Sequence, residues 1–248
     1  MQKQLRAPVG NAFHSHMRHL QDHCAASTWR ALPKLGTKAP KAIRELGTVL
    51  SILDRMASCY WGCGGGHHQG EYLVGRAVNL ANSAILLCTH GYYDEALTNA
   101  RSLGELANLL ALFAYKPEIA VDWMNADEKK RRKEFSAIKV RLMLEETGNS
   151  YPIKQDRYGA LSGYSVHIDP TNRPQAHNSL DAPSSFCAYQ EAGLLTCINE
   201  ISLPIAFISM YGSVLVALPK PAKEMARNGA IRLADKIGGI VVTDQDQP

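Results

Sequence analysis

Apolar positions along this chain recur at intervals of three and four, the spacing of helices with one buried face. Between Pro40 and Tyr60, Ile43, Leu46, Leu50, Leu53, Met56 and Tyr60 share a stripe. Pro40 suits the first helical turn, where its missing N–H would have no partner. Gly62 and Gly64-Gly65-Gly66 end that helix. A second helix is predicted over Gln69 to Thr89, apolar on nearly every face and therefore buried on several sides. Gly91 supplies its left-handed stop. A third runs from an Asp94 cap to Tyr115, with Pro117 marking its end.

A charged helix follows over Asp127 to Thr147, stopped by Gly148, and a short one over Asp156 to Val166. Residues 168–183 form a polar loop with three prolines. A long apolar helix starts at Ser184 and bends at Pro204, where a backbone hydrogen bond is lost. A last helix covers Ala222 to Lys236. Alternating strand-like runs hardly appear and no repeat is visible. The expectation is an all-α chain, one bundle of six to eight helices with short connections. It divides into an N-terminal arm with a short helix (1–36), the bundle domain (37–236) and a tail (237–248).

Composition narrows the class. With 46% apolar and 20% charged residues the chain folds as an ordinary globular protein. Its net charge of +4 is too small to identify a nucleic-acid binder, and the run Lys129-Lys130-Arg131-Arg132-Lys133 reads as a solvated helix face. Six scattered cysteines and the start MQKQLRAPVG, which lacks an apolar signal core, favour reduced thiols in the cytoplasm. Ile201 to Pro219 carries no charge, but Pro204, Gly212 and three serines argue for a central bundle helix, and no membrane association is expected.

The third helix carries the most suggestive chemistry. Ala96, Ala100, Gly104, Ala107 and Ala111 make a stripe of small residues that lets another backbone approach. A second stripe holds Leu97, Arg101, Glu105, Asn108 and Leu112. Arg101 and Glu105, four apart, meet on one face. Leucines at both ends of that stripe favour a pair turned inward or into a cleft, where both charges must be hydrogen-bonded. A solvated surface pair is the alternative, and an inward pair that only fixes helix register is another.

From Gly91 to Leu112, the pattern Gly-x-x-x-Glu95-Ala96 followed by Arg101-Ser102-Leu103-x-Glu105 resembles a family of uncharacterised helical bacterial proteins. That family also carries a later Tyr-x-x-Leu-Ser segment leading to a histidine, matched by Tyr158, Leu161, Ser162 and His167 with a longer final spacing. The resemblance implies an all-helical fold, no assigned activity, and roles in mobile elements or antiphage defence. A weaker similarity to HEPN-type helical nucleases implies metal-independent RNA cleavage, in which an arginine stabilises phosphate charge and a histidine moves a proton. Arg18 and His23 have the spacing of that signature. A looser arrangement gathers Arg101, Glu105 and His167 as catalytic residues, with Asn108, Ser162 and Tyr164 as binding neighbours. The alternative is a non-catalytic interaction module, a homo-oligomer or protein-binding scaffold that uses the small stripe and the helix after Ser184.

A metal reading stands apart from these. Cys59-x-x-x-Cys63 followed by His67-His68 offers ligands suited to zinc, with Gly64-Gly65-Gly66 turning the histidines back. His16, His19 and His23 share a helix face that could hold a divalent ion. A helix end with small buried cysteines and a solvated histidine arm are the plain alternatives. No phosphate loop, nucleophile elbow or dinucleotide fingerprint occurs, which disfavours the common kinase, hydrolase and dehydrogenase classes.

Overall fold

The computed structural model describes residues 8–66, 68–149, 151–165 and 187–237, with 164 and 165 described by backbone alone. Every regular element among them is helical: α1 (Asn11–Ala31), a 3-10 turn (Leu32–Lys34), α2 (Lys38–Ala57), α3 (Gln69–Thr89), α4 (Tyr93–Tyr115), α5 (Pro117–Asn125), α6 (Glu128–Glu134), α7 (Ala137–Glu146), α8 (Gln155–Ser165), α9 (Glu191–Leu215) and α10 (Lys220–Ile237). The all-α bundle is as the periodicity predicts. The described helices outnumber the six to eight expected because the chain between Pro117 and Glu146 breaks into three short ones.

Each departure has a local cause. Pro117 does not only close α4 but opens α5 at its first position, where a proline needs no donor. The predicted charged helix splits because Ser136 adopts an extended backbone between α6 and α7. Asp127 caps α6, its carboxylate accepting from the Lys130 N–H at 2.7 Å. Asp94 is not a cap. It lies in the first turn of α4, beyond Tyr92, where a negative charge still favours the helix N-terminus. Residues 187–190 are not helical and α9 begins at Glu191, so the helix predicted from Ser184 starts later. The arm's helix is long, not short: α1 has 21 residues, of which Cys24 and Thr28 are buried. The 168–183 loop lies outside the described residues.

α9 is the axis of the bundle, packed by α2, α3, α4 and α10. It is the one described helix long and apolar enough to cross a membrane, yet 61% of its most apolar window is buried by these neighbours. Its small residues set the contact distances. Gly212 faces Val74 and Met56, and Gly193 lies under the Tyr93 ring. Ser209 donates to the Ala226 carbonyl at 3.0 Å, fixing α10 against α9. Tyr115 and Tyr211 join α4 to α9 through their hydroxyls at 2.8 Å. On its other side α4 is covered by α7 and α8. The stripe Ala96, Ala100, Gly104, Ala107 and Ala111 is buried in the chain's own core. That stripe packs within the chain and not at an open surface, while α9 keeps a partly exposed flank at Leu203, Phe207, Met210 and Val214.

Candidate functional site

The polar island forms where α8 and the segment before it lie against α4. Residues 151–154 cross the small stripe at Gly104, where a Cβ would stand 2.9 Å from Cγ1 of Ile153. Asn108 then holds Ile153 by both backbone groups: its Nδ2 donates to the carbonyl at 2.9 Å, and its Oδ1 accepts from the N–H at 2.9 Å. Arg157 donates to both carboxylate oxygens of Glu200 at 2.8 and 2.7 Å, tying α8 to α9. These attachments bring Tyr158 and Ser162 over Arg101 and Glu105.

Arg101 and Glu105 pair at 3.1 Å, with side chains 22% and 37% exposed. They are neither a solvated pair nor a sealed one. Arg101 donates through Nε to Ser162 Oγ at 2.9 Å and through Nη2 to the Tyr158 hydroxyl, which donates to Glu105 Oε1 at 2.9 Å. The Arg101 guanidinium also lies 4.5 Å from the centre of the Tyr158 ring. A second guanidinium, Arg141 from α7, lies 4.4 Å from the same ring centre. Arg141 is only 3% exposed. Its Nη2 donates to Gln155 Oε1, and its Nη1, fully shielded from solvent, has no acceptor. Burial, and next the Glu105 charge, push the Tyr158 hydroxyl above its ordinary pKa, while Arg101 opposes the shift. The phenol stays protonated and free to donate.

Asn108 lies beneath this cluster, holding Ile153, and Ser162 lies against Arg101 as a hydrogen-bond partner. His167 lies outside the described residues, as does the side chain of Tyr164. Two members escaped the sequence reading as site residues. Tyr158 entered only through the resemblance. Arg141 was absorbed into the solvated charged helix, although apolar Val140, Leu142, Met143 and Leu144 surround it in sequence. Elsewhere the basic run behaves as predicted: Lys129, Lys130, Arg132 and Lys133 are exposed, and Arg132 pairs with Glu128 at 2.6 Å.

The metal reading converges on another place. Cys59, Cys63 and His68 meet at the bend between α2 and α3, their ligand atoms within 4.8 Å of one another. His67 lies outside the described residues. Burial, followed by the neighbouring Cys63 and Glu71, raises the pKa of the Cys59 thiol. His16, His19 and His23 point to solvent on α1 and form no comparable group among the described residues, and Arg18 is exposed beside them.

The α4–α8 contact, but not the Cys59, Cys63 and His68 group, falls within a stretch that resembles other proteins. Residues 71–170 match a family of unknown function (DUF5677). The match takes in Arg101, Glu105, Asn108, Arg141, Tyr158 and Ser162 together, and leaves out α1, α2, α9 and α10. No curated protein and no solved structure matches the chain.

Proposed function

We propose that the Arg101–Tyr158–Arg141 cluster binds a phosphodiester, and that the protein is an intracellular bacterial ribonuclease acting without a metal, in mobile-element or antiphage defence. One observation carries this reading. Two guanidinium groups share one aromatic ring, one carboxylate, Glu105, accepts from that ring's hydroxyl, and Arg101 is 22% exposed beside them. Two cations set against one carboxylate leave positive charge that an anion reaching the exposed Arg101 would balance. Arginine is suited to phosphate because its planar fork donates two bonds at once.

In the proposed reaction the RNA 2′-oxygen attacks phosphorus, forming the O2′–P bond as the P–O5′ bond breaks. Glu105 accepts the 2′-hydroxyl proton and His167 returns one to the departing 5′-oxygen, while Arg101 neutralises charge on the phosphate. The products are a cyclic phosphate end and a 5′-hydroxyl end. Free thiols at every described cysteine are compatible with a reducing compartment.

The test is RNA cleavage by the full chain in the presence of a chelator. Arg101→Ala and His167→Ala should each lower the rate by roughly 100-fold or more, the scale for losing a group that stabilises or relays charge at the reacting phosphate. Tyr158→Phe, which keeps the ring, should retain helicity and melting temperature near wild type. Cleavage that persists in both of the first two variants, or a wild-type protein inert on RNA, would refute the reading.

A further inference from the structure

The bend between α2 and α3 gathers side chains that suit a soft metal ion. Cys59 Sγ lies 3.5 Å from His68 Nδ1, and Cys63 Sγ lies 3.4 Å from His68 Nε2. Around a tetrahedral zinc ion, with Zn–S near 2.3 Å and Zn–N near 2.0 Å, neighbouring ligand atoms stand roughly 3.5 to 3.8 Å apart. The three ligand atoms here already lie within 4.8 Å of one another. Closing the set takes about 1 Å of side-chain movement to reach zinc-like separations. Cys63, exposed at the loop, has room to make it.

Backbone conformation supplies a second, independent observation. Cys59 has φ of 53° and His68 φ of 48°, and among the described residues these are the non-glycine positions with positive φ. Each costs on the order of 1 kcal/mol, but histidine, like asparagine and aspartate, tolerates that region better than most residues, so the strain falls mainly on Cys59. A weak thiol–imidazole hydrogen bond is poor compensation for it. A metal bound by Cys59 is better compensation, since such strain persists where a function over-determines it. The loop is also braced from outside: a Cβ at Gly64 would meet Ala217 at 3.0 Å, and one at Gly70 would meet Val216 at 3.0 Å.

We propose that Cys59, Cys63 and His68 bind one zinc-class divalent ion, joining the end of α2 to the start of α3. His68 ligates through Nε2. Its Nδ1 stands 3.6 Å from Glu71 Oε1, and a small turn of the ring onto the ion lets it donate to that carboxylate, which then fixes the ring and raises its basicity. Water takes the fourth position, as in sites with three protein ligands. Both thiols give up their protons on binding, so the ion neutralises two thiolates that would otherwise repel.

The experiment uses the full chain, reduced and stripped of metal, titrated with cobalt(II) as a coloured substitute for zinc. One equivalent should produce a thiolate-to-cobalt charge-transfer band that zinc(II) abolishes, and zinc should raise the melting temperature. Cys63→Ser and His68→Gln should each lose the one-equivalent endpoint while keeping wild-type helicity. Glu71→Gln should keep the band but weaken binding about 10-fold or more, the usual effect of losing a histidine's supporting carboxylate. Absence of the band overturns the proposal, and so does a band of wild-type strength in both ligand variants.

Discussion

Asn108 shows how much can rest on one amide. It is 3% exposed and serves both the carbonyl and the N–H of Ile153, the residue from which the chain enters α8. Replacing it by alanine leaves two buried backbone groups without partners, each costing roughly 1–3 kcal/mol. Asn108→Ala should therefore lose about 3 kcal/mol in denaturant unfolding, and faster amide exchange across residues 151–158 would localise the damage. A loss under about 1 kcal/mol would mean that water or a relaxed backbone replaces the amide. The sequence placed Asn108 on the right stripe beside Arg101 and Glu105. It could not supply the partner, because backbone groups 45 residues away leave no trace in side-chain pattern.

At the scale of elements, closeness of approach is set by glycines that a helix would otherwise disfavour. Gly193, in the first turn of α9, lies where a Cβ would stand 2.6 Å from Cδ2 and 2.7 Å from Cγ of Tyr93. That ring has no room to withdraw: it is fully buried, and its hydroxyl accepts from the Gln190 N–H at 2.9 Å. Gly193→Ala should cost about 1–3 kcal/mol through overpacking, seen as a lower melting temperature with unchanged helicity. An unaltered melting temperature would contradict the close α4–α9 approach. The start and stop of α3 were legible, since Gly91, at φ of 82°, follows it, but not its face: Tyr72, Arg76, Asn79, Ser83 and Leu86 are exposed at helical spacing, so α3 is buried on one side and not on nearly all. The division of 117–146 was not legible either. Lys, Arg and Glu are good helix formers throughout, and the break at Ser136 is a tertiary choice that turns Val140, Arg141 and Leu144 inward. That same turn is why Arg141 was invisible as a site residue.

Across the whole molecule, sulfur and phenol groups sit inside a continuous apolar core. Burial first, and the nearby Cys187 next, push the Cys24 thiol up from 9.0 to about 11. A group whose pKa is raised on folding holds its proton more tightly in the folded chain. Its contribution is complete below the unfolded value of 9.0 and is lost as pH rises through about 11. Unfolding midpoints measured across that window should fall, and Cys24→Ala should flatten the slope whatever its own stability. A slope identical to wild type would remove this thiol from the account. The bundle itself was legible because helical periodicity survives without knowledge of partners, whereas the shared Tyr158 ring depends on three elements meeting.

The burial of α9 also bears on how the chain leaves the ribosome. Its apolar faces are covered by α2, α3 and α4, which are synthesised earlier, but also by α10, which is synthesised after it. Until Lys220–Ile237 emerges, Ser209 lacks the Ala226 carbonyl and one flank of the axis lies bare. For that interval the nascent protein presents a sticky, greasy rod to its surroundings, and premature termination before Lys220 would make the interval permanent.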